Sequence, residues 1–338
     1  MKFDKEKKKA IIGYILEKIK SQPENLSKYV SESLGINQTT VHNYINELVE
    51  QNIIKRIKRG QYVLTSNKSE FVFLRELNEI QNETVIFNKC LKPHIESFPQ
   101  NIKQIWEYAF SEMVNNVIDH SNADKLYIRV ETDHIQTTVS ILDDGVGIFE
   151  KIKNHFDFPS LEDAICELFK GKLTTDASNH SGEGIFFTSK IMDSFSIFSS
   201  DKIFTTTKFQ DSYVFETEHL VDKGTLVIMS ISNSSNKTSK DVFDKFANIH
   251  GGFSKTIIPL KNIFDASPVS RSQARRVVNC LDKFEEVILD FEGIEWMGQG
   301  FAHQIFVVYK NQQPDIQIIP INMNDDVEKM YNHVINTR

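Results

Sequence analysis

The sequence predicts a multidomain protein that combines α+β and α/β architecture in three parts. Residues 1–65 contain three helical apolar patterns followed by an alternating hairpin pattern. The central part contains a long amphipathic helix and two alternating strands, and strands alternate with helices from residue 251 onward. A chain of 338 residues is long enough for two or three such units, each with its own core.

The N-terminal part is predicted to form three helices and a hairpin. Apolar residues recur at helical spacing over residues 12–19 and 26–34, and Asn37 is suited to cap a third helix. Residues 53–65 alternate as a hairpin that turns at Gly60. This layout resembles a winged helix-turn-helix domain, in its pattern more than in any single residue.

That resemblance implies double-stranded DNA as a partner. Short polar side chains on the third helix can contact base edges, and basic side chains of the hairpin can contact phosphates. The residues expected to bind DNA are Gln38, Thr39, Thr40, His42, Asn43, Lys55, Arg56, Lys58 and Arg59. A winged helix that contacts protein, with its charges solvated, stays an alternative.

The charge is unevenly distributed along the chain. Residues 1–65 contain 12 Lys and Arg against 7 Asp and Glu, a net +5, which leaves −12 for the rest of a chain whose formal net charge is −7. The overall charge does not favour nucleic-acid binding, but the basic N-terminal part can meet DNA while the acidic remainder keeps the protein in solution.

The cysteines and the N-terminus favour a cytoplasmic protein. Cys90, Cys166 and Cys280 have neither paired nor metal-ligand spacing, as expected of reduced structural cysteines. The basic N-terminus lacks the apolar segment of a signal peptide, and no apolar run reaches membrane-spanning length. We therefore expect no membrane partner.

Three polar residues four positions apart are expected to form one stripe on a helix. Glu112, Asn116 and His120 alternate with apolar residues at helical spacing. Four residues displace a side chain by only ~40° around a helix and by ~6 Å along it, so the stripe can face a ligand. A carboxylate there can orient an attacking water or hydroxyl, and an amide oxygen suits Mg²⁺. His120 can equally be a packing residue at the helix end.

Two strands are predicted after this helix, and the second runs into Asp143. A carboxylate at a strand end can accept a hydrogen bond from an exocyclic amine, and Gly145 and Gly147 permit close backbone approach. Asp144 is expected to face solvent or to support the loop. The strands are expected around residues 126–130 and 139–141.

A further glycine pair is expected to open a helix. Gly182 and Gly184 precede a helical pattern over residues 185–192, so the first N–H groups of that helix can hold phosphate oxygens. Before it, residues 148–181 contain one short helical pattern, over residues 160–169, and a polar run over residues 171–180. A segment of this length inside a compact domain is typical of a functional loop.

Taken in chain order, these motifs resemble those of the GHKL (Bergerat-type) ATPases, which include gyrase, histidine kinases, mismatch-repair ATPases and anti-sigma-factor kinases. The resemblance covers roughly residues 85 to 232. It implies a GHKL α/β sandwich that uses ATP and Mg²⁺, with Glu112 as general base, Asn116 as magnesium ligand and Asp143 as contact of the adenine amine. The other residues that it assigns to the ATP site are His120, Gly145, Gly147, Lys172, Gly182, Gly184 and Thr225.

Three features qualify the resemblance. The resemblance implies that the loop within residues 148–181 is the ATP lid of the family. His180 stands where the family usually has a glycine, which affects lid closure and turnover more than binding. Lys172 can equally be a solvated residue of the lid. Between residues 66 and 100, where a helix over residues 71–80 is expected to join the domains, His94 precedes Ile95 and not an acidic residue, which argues against a conventional sensor histidine kinase.

The C-terminal part is predicted to be a small α/β domain. Residues 270–276 and 290–300 resemble the STAS-like domains attached to GHKL modules. Related anti-sigma-factor antagonists carry a phosphorylatable serine where this chain has residues 298–300, Gly-Gln-Gly, which excludes phosphorylation there. Three nearby arginines can bind a phosphate or an acidic partner, or form surface salt bridges: Arg271, Arg275 and Arg276.

The predicted organisation is a winged helix-turn-helix over residues 1–65, a linker over 66–100, a GHKL ATP-binding domain over 101–250 and a STAS-like domain over 251–338. We expect an ATP-binding, nucleotide-switched transcriptional regulator that binds DNA, with a protein partner at the STAS-like domain and a homodimer left open. The alternatives are a serine/threonine kinase of the anti-sigma-factor type that acts on a partner protein, and a DNA-bound scaffold whose ATP site does not hydrolyse. Activity as a Mg-dependent ATPase or kinase therefore stays open.

Overall fold

A computed structural model describes residues 4–21, 24–173, 182–206, 223–247, 253–264 and 266–336. Its N-terminal part contains helices α1 (Lys5–Ser21), α2 (Leu26–Leu34) and α3 (Gln38–Glu50), then the antiparallel strands β1 (Ile54–Lys58) and β2 (Gln61–Leu64). The side chain of Asn37 accepts a hydrogen bond from the Thr39 N–H at 2.7 Å and so caps α3. The three predicted helices and the hairpin are confirmed as elements.

The helix expected over residues 71–80 is wrong, because this segment begins as strand β3 (Asn67–Leu74). β3 pairs with β4 (Lys125–Thr132) in antiparallel register along its whole length. Val72 is exposed while Phe73 is buried, as expected of the two-residue period of a strand. This alternation is not visible in the sequence, because apolar residues occupy both faces of the segment. Only two residues separate β2 from β3, so the N-terminal part is joined directly to the central sheet.

The central sheet has the strand order β3-β4-β5-β8-β6-β7, and each neighbouring pair is antiparallel. The remaining strands are β5 (Gln136–Asp143), β6 (Ser194–Ser199), β7 (Lys202–Thr205) and β8 (Thr225–Ser232). Helices α4 (Glu83–Cys90), α5 (Lys92–Ile95) and α6 (Gln100–Asn116) precede β4 and share an apolar core with the sheet. The two strands predicted around residues 126–130 and 139–141 are confirmed as β4 and β5.

Helices α7 (Ile148–Phe156), α8 (Leu161–Lys170) and α9 (Gly184–Ile191) connect β5 to β6. The predicted helices over residues 160–169 and 185–192 are confirmed as α8 and α9. A single helix was expected before residue 171, and α7 is an additional one. Of the predicted lid, residues 174–181 lie outside the described part of the chain.

The C-terminal part contains a parallel sheet of order β11-β10-β9. Its elements, after α10 (Ser239–Phe246), are β9 (Lys255–Pro259), α11 (Leu260–Ile263), α12 (Arg271–Val278), β10 (Glu286–Asp290), α13 (Gln299–His303), α14 (Lys310–Gln312), β11 (Gln317–Ile321) and α15 (Asp325–Asn336). Helix α12 ends at Val278, and Cys280 beyond it adopts a left-handed conformation with φ of 53°. Helix α13 continues as a π-turn, Gln304–Tyr309.

One aromatic cluster joins the central and C-terminal parts. Phe186 and Phe187 belong to α9 but pack in the core of the C-terminal part. The ring of Phe186 lies 5.0 Å from that of Phe246 and 4.7 Å from that of Phe253. Since aromatic pairs at such distances add to the free energy of apolar burial, the two parts do not have independent cores.

We expect the Phe186→Ala substitution to destabilise the whole protein by about 3 to 5 kcal/mol, because it removes a fully buried ring shared by two parts of the chain. Urea unfolding of the full chain measures this free energy. The matched control is Leu77→Ala, at a side chain that is 61% exposed, which should change the free energy of unfolding by no more than about 0.5 kcal/mol. A destabilisation below about 1 kcal/mol for Phe186→Ala would contradict the shared core.

Candidate functional site

A cavity of about 300 Å³ opens between α6, the end of β5 and the start of α9. This volume is at the lower end of those that bind small organic ligands. The predicted residues that line it are Glu112, Asn116, His120, Asp143, Gly147, Gly182, Gly184 and Thr225. The structure therefore brings together residues that are up to 113 positions apart in the chain.

The polar stripe of α6 reaches the cavity through a change of helix type. α6 ends at Asn116, and a π-turn, Val117–Ser121, continues it. The Ser121 hydroxyl donates to the Val117 carbonyl oxygen at 2.7 Å within this turn. π-turns are rare in proteins, and those that occur are often found at functional sites. The regular α-helical spacing expected as far as His120 is wrong in the last turn of this helix, although His120 still lines the cavity.

Asp143 is a buried carboxylate at the end of β5. Its side chain accepts a hydrogen bond from the Gly145 N–H at 2.8 Å. Burial raises the pKa of Asp143 to about 6, the nearby negative charge of Asp144 raises the pKa further, and the hydrogen bonds from the N–H groups of Gly145 and Thr225 oppose the shift. A ligand that donates a hydrogen bond to this carboxylate compensates for the loss of water around it.

The neighbours of Asp143 hold its loop in place. Thr225 lies opposite Asp143 in the β5–β8 register, and its hydroxyl oxygen accepts from the Ile148 N–H at 3.0 Å. Asp144 accepts hydrogen bonds from the N–H groups of Asp124 and Lys125, at 2.8 and 2.9 Å. The prediction that Asp144 supports the loop is confirmed. Gly145 does not line the cavity but lies behind the Asp143 carboxylate.

The Glu112 carboxylate lies against the first residue of α9. A Cβ atom on Gly184 would overlap Oε2 of Glu112, so the carboxylate would have to move if this glycine were substituted. The N-terminus of α9 carries a partial positive charge that favours a carboxylate or a phosphate group. Burial raises the pKa of Glu183, the residue before α9, and Lys172 lowers it in part.

Lys172 is not directed into the cavity. Its ammonium group donates to the Lys283 carbonyl oxygen at 3.0 Å and lies over the rings of Phe253 and Phe284, at 5.3 and 5.2 Å. Burial lowers the pKa of Lys172. Lys172, whose backbone is left-handed with φ of 54°, thus contacts the C-terminal part and is not among the residues that line the cavity, and its role as a nucleotide ligand stays a prediction.

One cation and most of the apolar residues that line the cavity were not predicted from the sequence. The ammonium group of Lys151, on α7, lines the cavity and donates to the His120 carbonyl oxygen at 2.7 Å. The amphipathic pattern of α7 is the signal that could have found it. The apolar wall comprises Met113, Val117, Val146, Ile148, Ile152, Leu168, Leu173, Ile185, Ile197 and Val227.

The donor set of the cavity suits Mg²⁺ only together with a ligand that brings further oxygens. In the described ranges, no group of three or more His, Cys, Asp and Glu side chains could hold a metal ion by itself. The Asn116 amide oxygen and the Glu112 carboxylate line the same cavity. Mg²⁺ is commonly bound by one or two protein oxygens, waters and substrate phosphates, which this arrangement fits.

The residues predicted to bind DNA lie on α3 and on the β1–β2 hairpin of the N-terminal part. Gln38, Thr39, His42 and Asn43 are exposed on α3, Thr40 is half-buried, and the four basic residues of the hairpin are exposed. Several of them already have partners: Gln38 donates to Ser27 at 3.2 Å, Lys58 lies 3.8 Å from Glu24, and Arg56 donates to Tyr62 at 3.1 Å.

Comparison with known proteins gives two domain matches. Residues 102–235 match the family of histidine kinase-, DNA gyrase B-, and HSP90-like ATPases. Residues 273–328 match a STAS-like domain of unknown function (DUF4325). No curated protein matches the chain. The predicted GHKL-type ATPase domain and STAS-like domain are thereby confirmed, and no helix in the described ranges is long and apolar enough to cross a membrane.

We expect adenine binding to weaken as the pH falls through the pKa of Asp143, which is about 6. An ionised carboxylate accepts the adenine amine, and a protonated one offers a poorer acceptor. From the ionised fractions alone, the Kd for adenosine should rise about fourfold between about pH 7.5 and about pH 5.5. Adenosine is the suitable probe because it has no phosphates that titrate in this range, and ligand-observed NMR measures the Kd.

The control is Asp143→Asn, which cannot titrate and should bind adenosine with the same reduced affinity at both values of pH. Equal affinity of the unmodified protein at both values would contradict the assignment of Asp143 to the adenine amine.

Proposed function

We propose that the protein is an ATP-binding, DNA-binding regulator of transcription whose flanking domains respond to nucleotide state. The observation that carries the proposal is the convergence of Glu112, Asn116 and Asp143 on one cavity within a GHKL-type ATPase domain. These three side chains supply a proton acceptor, a metal ligand and a base-reading carboxylate. The three cysteines are free thiols, which supports a cytoplasmic location within this proposal.

Each part of the nucleotide has a set of residues suited to it. Asp143 accepts the adenine amine, with Thr225 and Gly147 beside it. The backbone N–H groups at Gly182 and Gly184 lie where α9 begins and suit phosphate oxygens. Asn116 would hold Mg²⁺, which would neutralise phosphate charge, and His120 lines the same cavity. Glu112 accepts a proton from the attacking water or hydroxyl.

The separate roles of these residues predict separable effects of substitution. Asp143→Ala should abolish ATP binding, because no other group replaces the carboxylate that accepts the adenine amine. Glu112→Ala should leave the Kd for ATP within a few-fold and remove turnover, since a general base acts mainly in the transition state. Calorimetry in the presence of Mg²⁺ measures both affinities, and phosphate release measures turnover.

Urea unfolding controls for loss of fold in both variants. Tight ATP binding by Asp143→Ala would reject the site assignment. Tight binding by the unmodified protein without any hydrolysis would favour the non-hydrolysing scaffold.

The DNA-binding part of the proposal rests on the N-terminal 65 residues. Their three helices and hairpin have the order of a winged helix-turn-helix, their net charge is +5, and the short polar face of α3 lies exposed. The hairpin continues directly into β3 of the ATPase sheet, and Lys20 on α1 forms a 3.0 Å ion pair with Asp133 in the β4–β5 turn. These contacts join the part proposed to bind DNA to the sheet whose strand β5 ends at Asp143.

Duplex DNA should bind with an affinity that falls steeply as salt concentration rises, because the neutralisation of each phosphate releases counterions. Replacing Lys55, Arg56, Lys58 and Arg59 with alanine should weaken binding and reduce the slope of log K against log salt by about one unit for each phosphate that is no longer neutralised. Fluorescence anisotropy of labelled duplexes at several salt concentrations measures the slope.

The control variant replaces two exposed lysines elsewhere, Lys240 and Lys329, and should keep the original slope. Binding that is absent at low salt, or unaffected by the hairpin substitutions, would favour a winged helix that contacts protein.

A serine/threonine kinase is the second candidate, because the Glu112 carboxylate lies at the helix terminus where phosphate groups are expected. In that reaction Glu112 would accept the proton of a partner's hydroxyl, and the phosphoryl group would pass from ATP to that oxygen. Residues 298–300 offer no hydroxyl at the place where related antagonists carry serine, so we propose a separate protein as the substrate. Stoichiometric phosphate on a candidate partner, abolished by Glu112→Ala, would establish this function.

A further inference from the structure

We propose that Lys170 is a positioning residue of the nucleotide cavity, through which the STAS-like domain sets nucleotide affinity. This inference rests on the proposed ATP binding and assigns a role to a contact between two domains. Lys170 is the last residue of α8 and is fully buried. Buried lysines are rare and need partners for all their protons.

The Lys170 ammonium group has three acceptors, one for each of its protons. It donates to the Glu167 carboxylate at 2.6 Å, to the Arg276 carbonyl oxygen at 2.9 Å and to the Asn279 carbonyl oxygen at 2.7 Å. Both carbonyls lie at the C-terminal end of α12, where the helix dipole favours a cation. The STAS-like domain thus supplies two of the three partners that allow this charge to be buried.

The backbone of the same residue is held from the other side. The hydroxyl of Thr256, on β9, donates to the Lys170 carbonyl oxygen at 2.7 Å. Near the start of α8, Asp163 forms a 2.8 Å ion pair with Arg276. Both ends of α8 are therefore fixed by hydrogen bonds to the C-terminal part, and displacement of that part would leave Lys170 without its partners.

Lys170 is also adjacent to the wall of the cavity. Leu168 and Leu173, on either side of it in the chain, line the cavity, and the Leu173 N–H donates to the Gly182 carbonyl oxygen at 3.0 Å. Between them Gly171 has a φ of +84°, and a Cβ on it would lie 2.8 Å from the Phe186 ring, so α8 ends in close contact with α9. The position of Gly182, one of the glycines expected at the phosphates, depends on this short segment.

The consequence is a coupling between domain contact and affinity. When Lys170 keeps its hydrogen bonds to the end of α12, the backbone of residues 171–173 and Gly182 is already ordered before a nucleotide binds. Binding then costs less conformational entropy. Without Lys170 that ordering occurs only on binding, and affinity falls. Linkage requires the reverse effect as well: a bound nucleotide must stabilise the contact of Lys170 with α12.

The test compares ATP affinity of full-length variants by calorimetry with Mg²⁺. Lys170→Met combined with Glu167→Gln removes the ion pair without leaving a buried charge, and should raise the Kd for ATP by about fivefold or more. Lys170→Arg retains the charge and should recover part of the affinity. The matched control is Lys310→Met, since the Lys310 ammonium also donates to two carbonyl oxygens, of Pro314 at 2.9 Å and of Ile316, but away from the cavity lining.

Urea unfolding of every variant separates stability from affinity, because Lys310→Met should lower stability without changing the Kd. A second measurement needs no variant, because ATP should slow hydrogen exchange of the N–H groups at residues 276–280 in the unmodified protein. This measurement tests the coupling even if the Lys170 variant fails to fold.

The coupling alone would be overturned if the folded Lys170 variant bound ATP with unchanged Kd, or if Lys310→Met weakened binding equally. It would also be overturned if ATP did not change the hydrogen exchange of residues 276–280. Absence of ATP binding by the unmodified protein would instead reject the proposed function together with the coupling.

Discussion

The structure depends on the sharing of α9 between two cores. The first residue of this helix lies against Glu112 in the cavity, while Phe186 and Phe187 pack among the phenylalanines of the C-terminal part. A helix of eight residues is nearly rigid, so its start cannot move independently of its aromatic face. The geometry of the proposed phosphate end is therefore set by contacts that lie outside the ATPase domain as its family defines it.

The electrostatics of the site follow from burial at both ends. Asp143 is ionisable and nearly inaccessible to water, and the N–H groups of Gly145 and Thr225 only partly offset the cost of burying its charge. At the other end Glu112 lies at a helix N-terminus, a location that also attracts phosphate. A further hydrogen-bond donor from a ligand would therefore stabilise the Asp143 carboxylate. A metal ion would reduce the repulsion between the Glu112 carboxylate and a phosphate group near it.

Local patterns predicted those parts of the fold that neighbours in sequence decide. The cap at Asn37, the alternation of β4 and β5 and the helix that opens at Gly184 depend on residues within a few positions, and each was predictable. β3 was mistaken for a helix, because a short apolar run does not distinguish a half-buried strand from a helix until its partner β4 is known.

The polar motifs of the cavity could be predicted without the fold, since the chemistry of Glu112, Asn116 and Asp143 lies in their side chains and in fixed spacings. The directions of Lys170 and Lys172 could not be predicted in this way: Lys170 points to the end of α12, and Lys172 lies over Phe253. The carbonyl acceptors of Lys170 on α12 and the contacts of Lys172 lie more than 80 residues away in the chain, and burial of a charge depends on partners that no local pattern specifies.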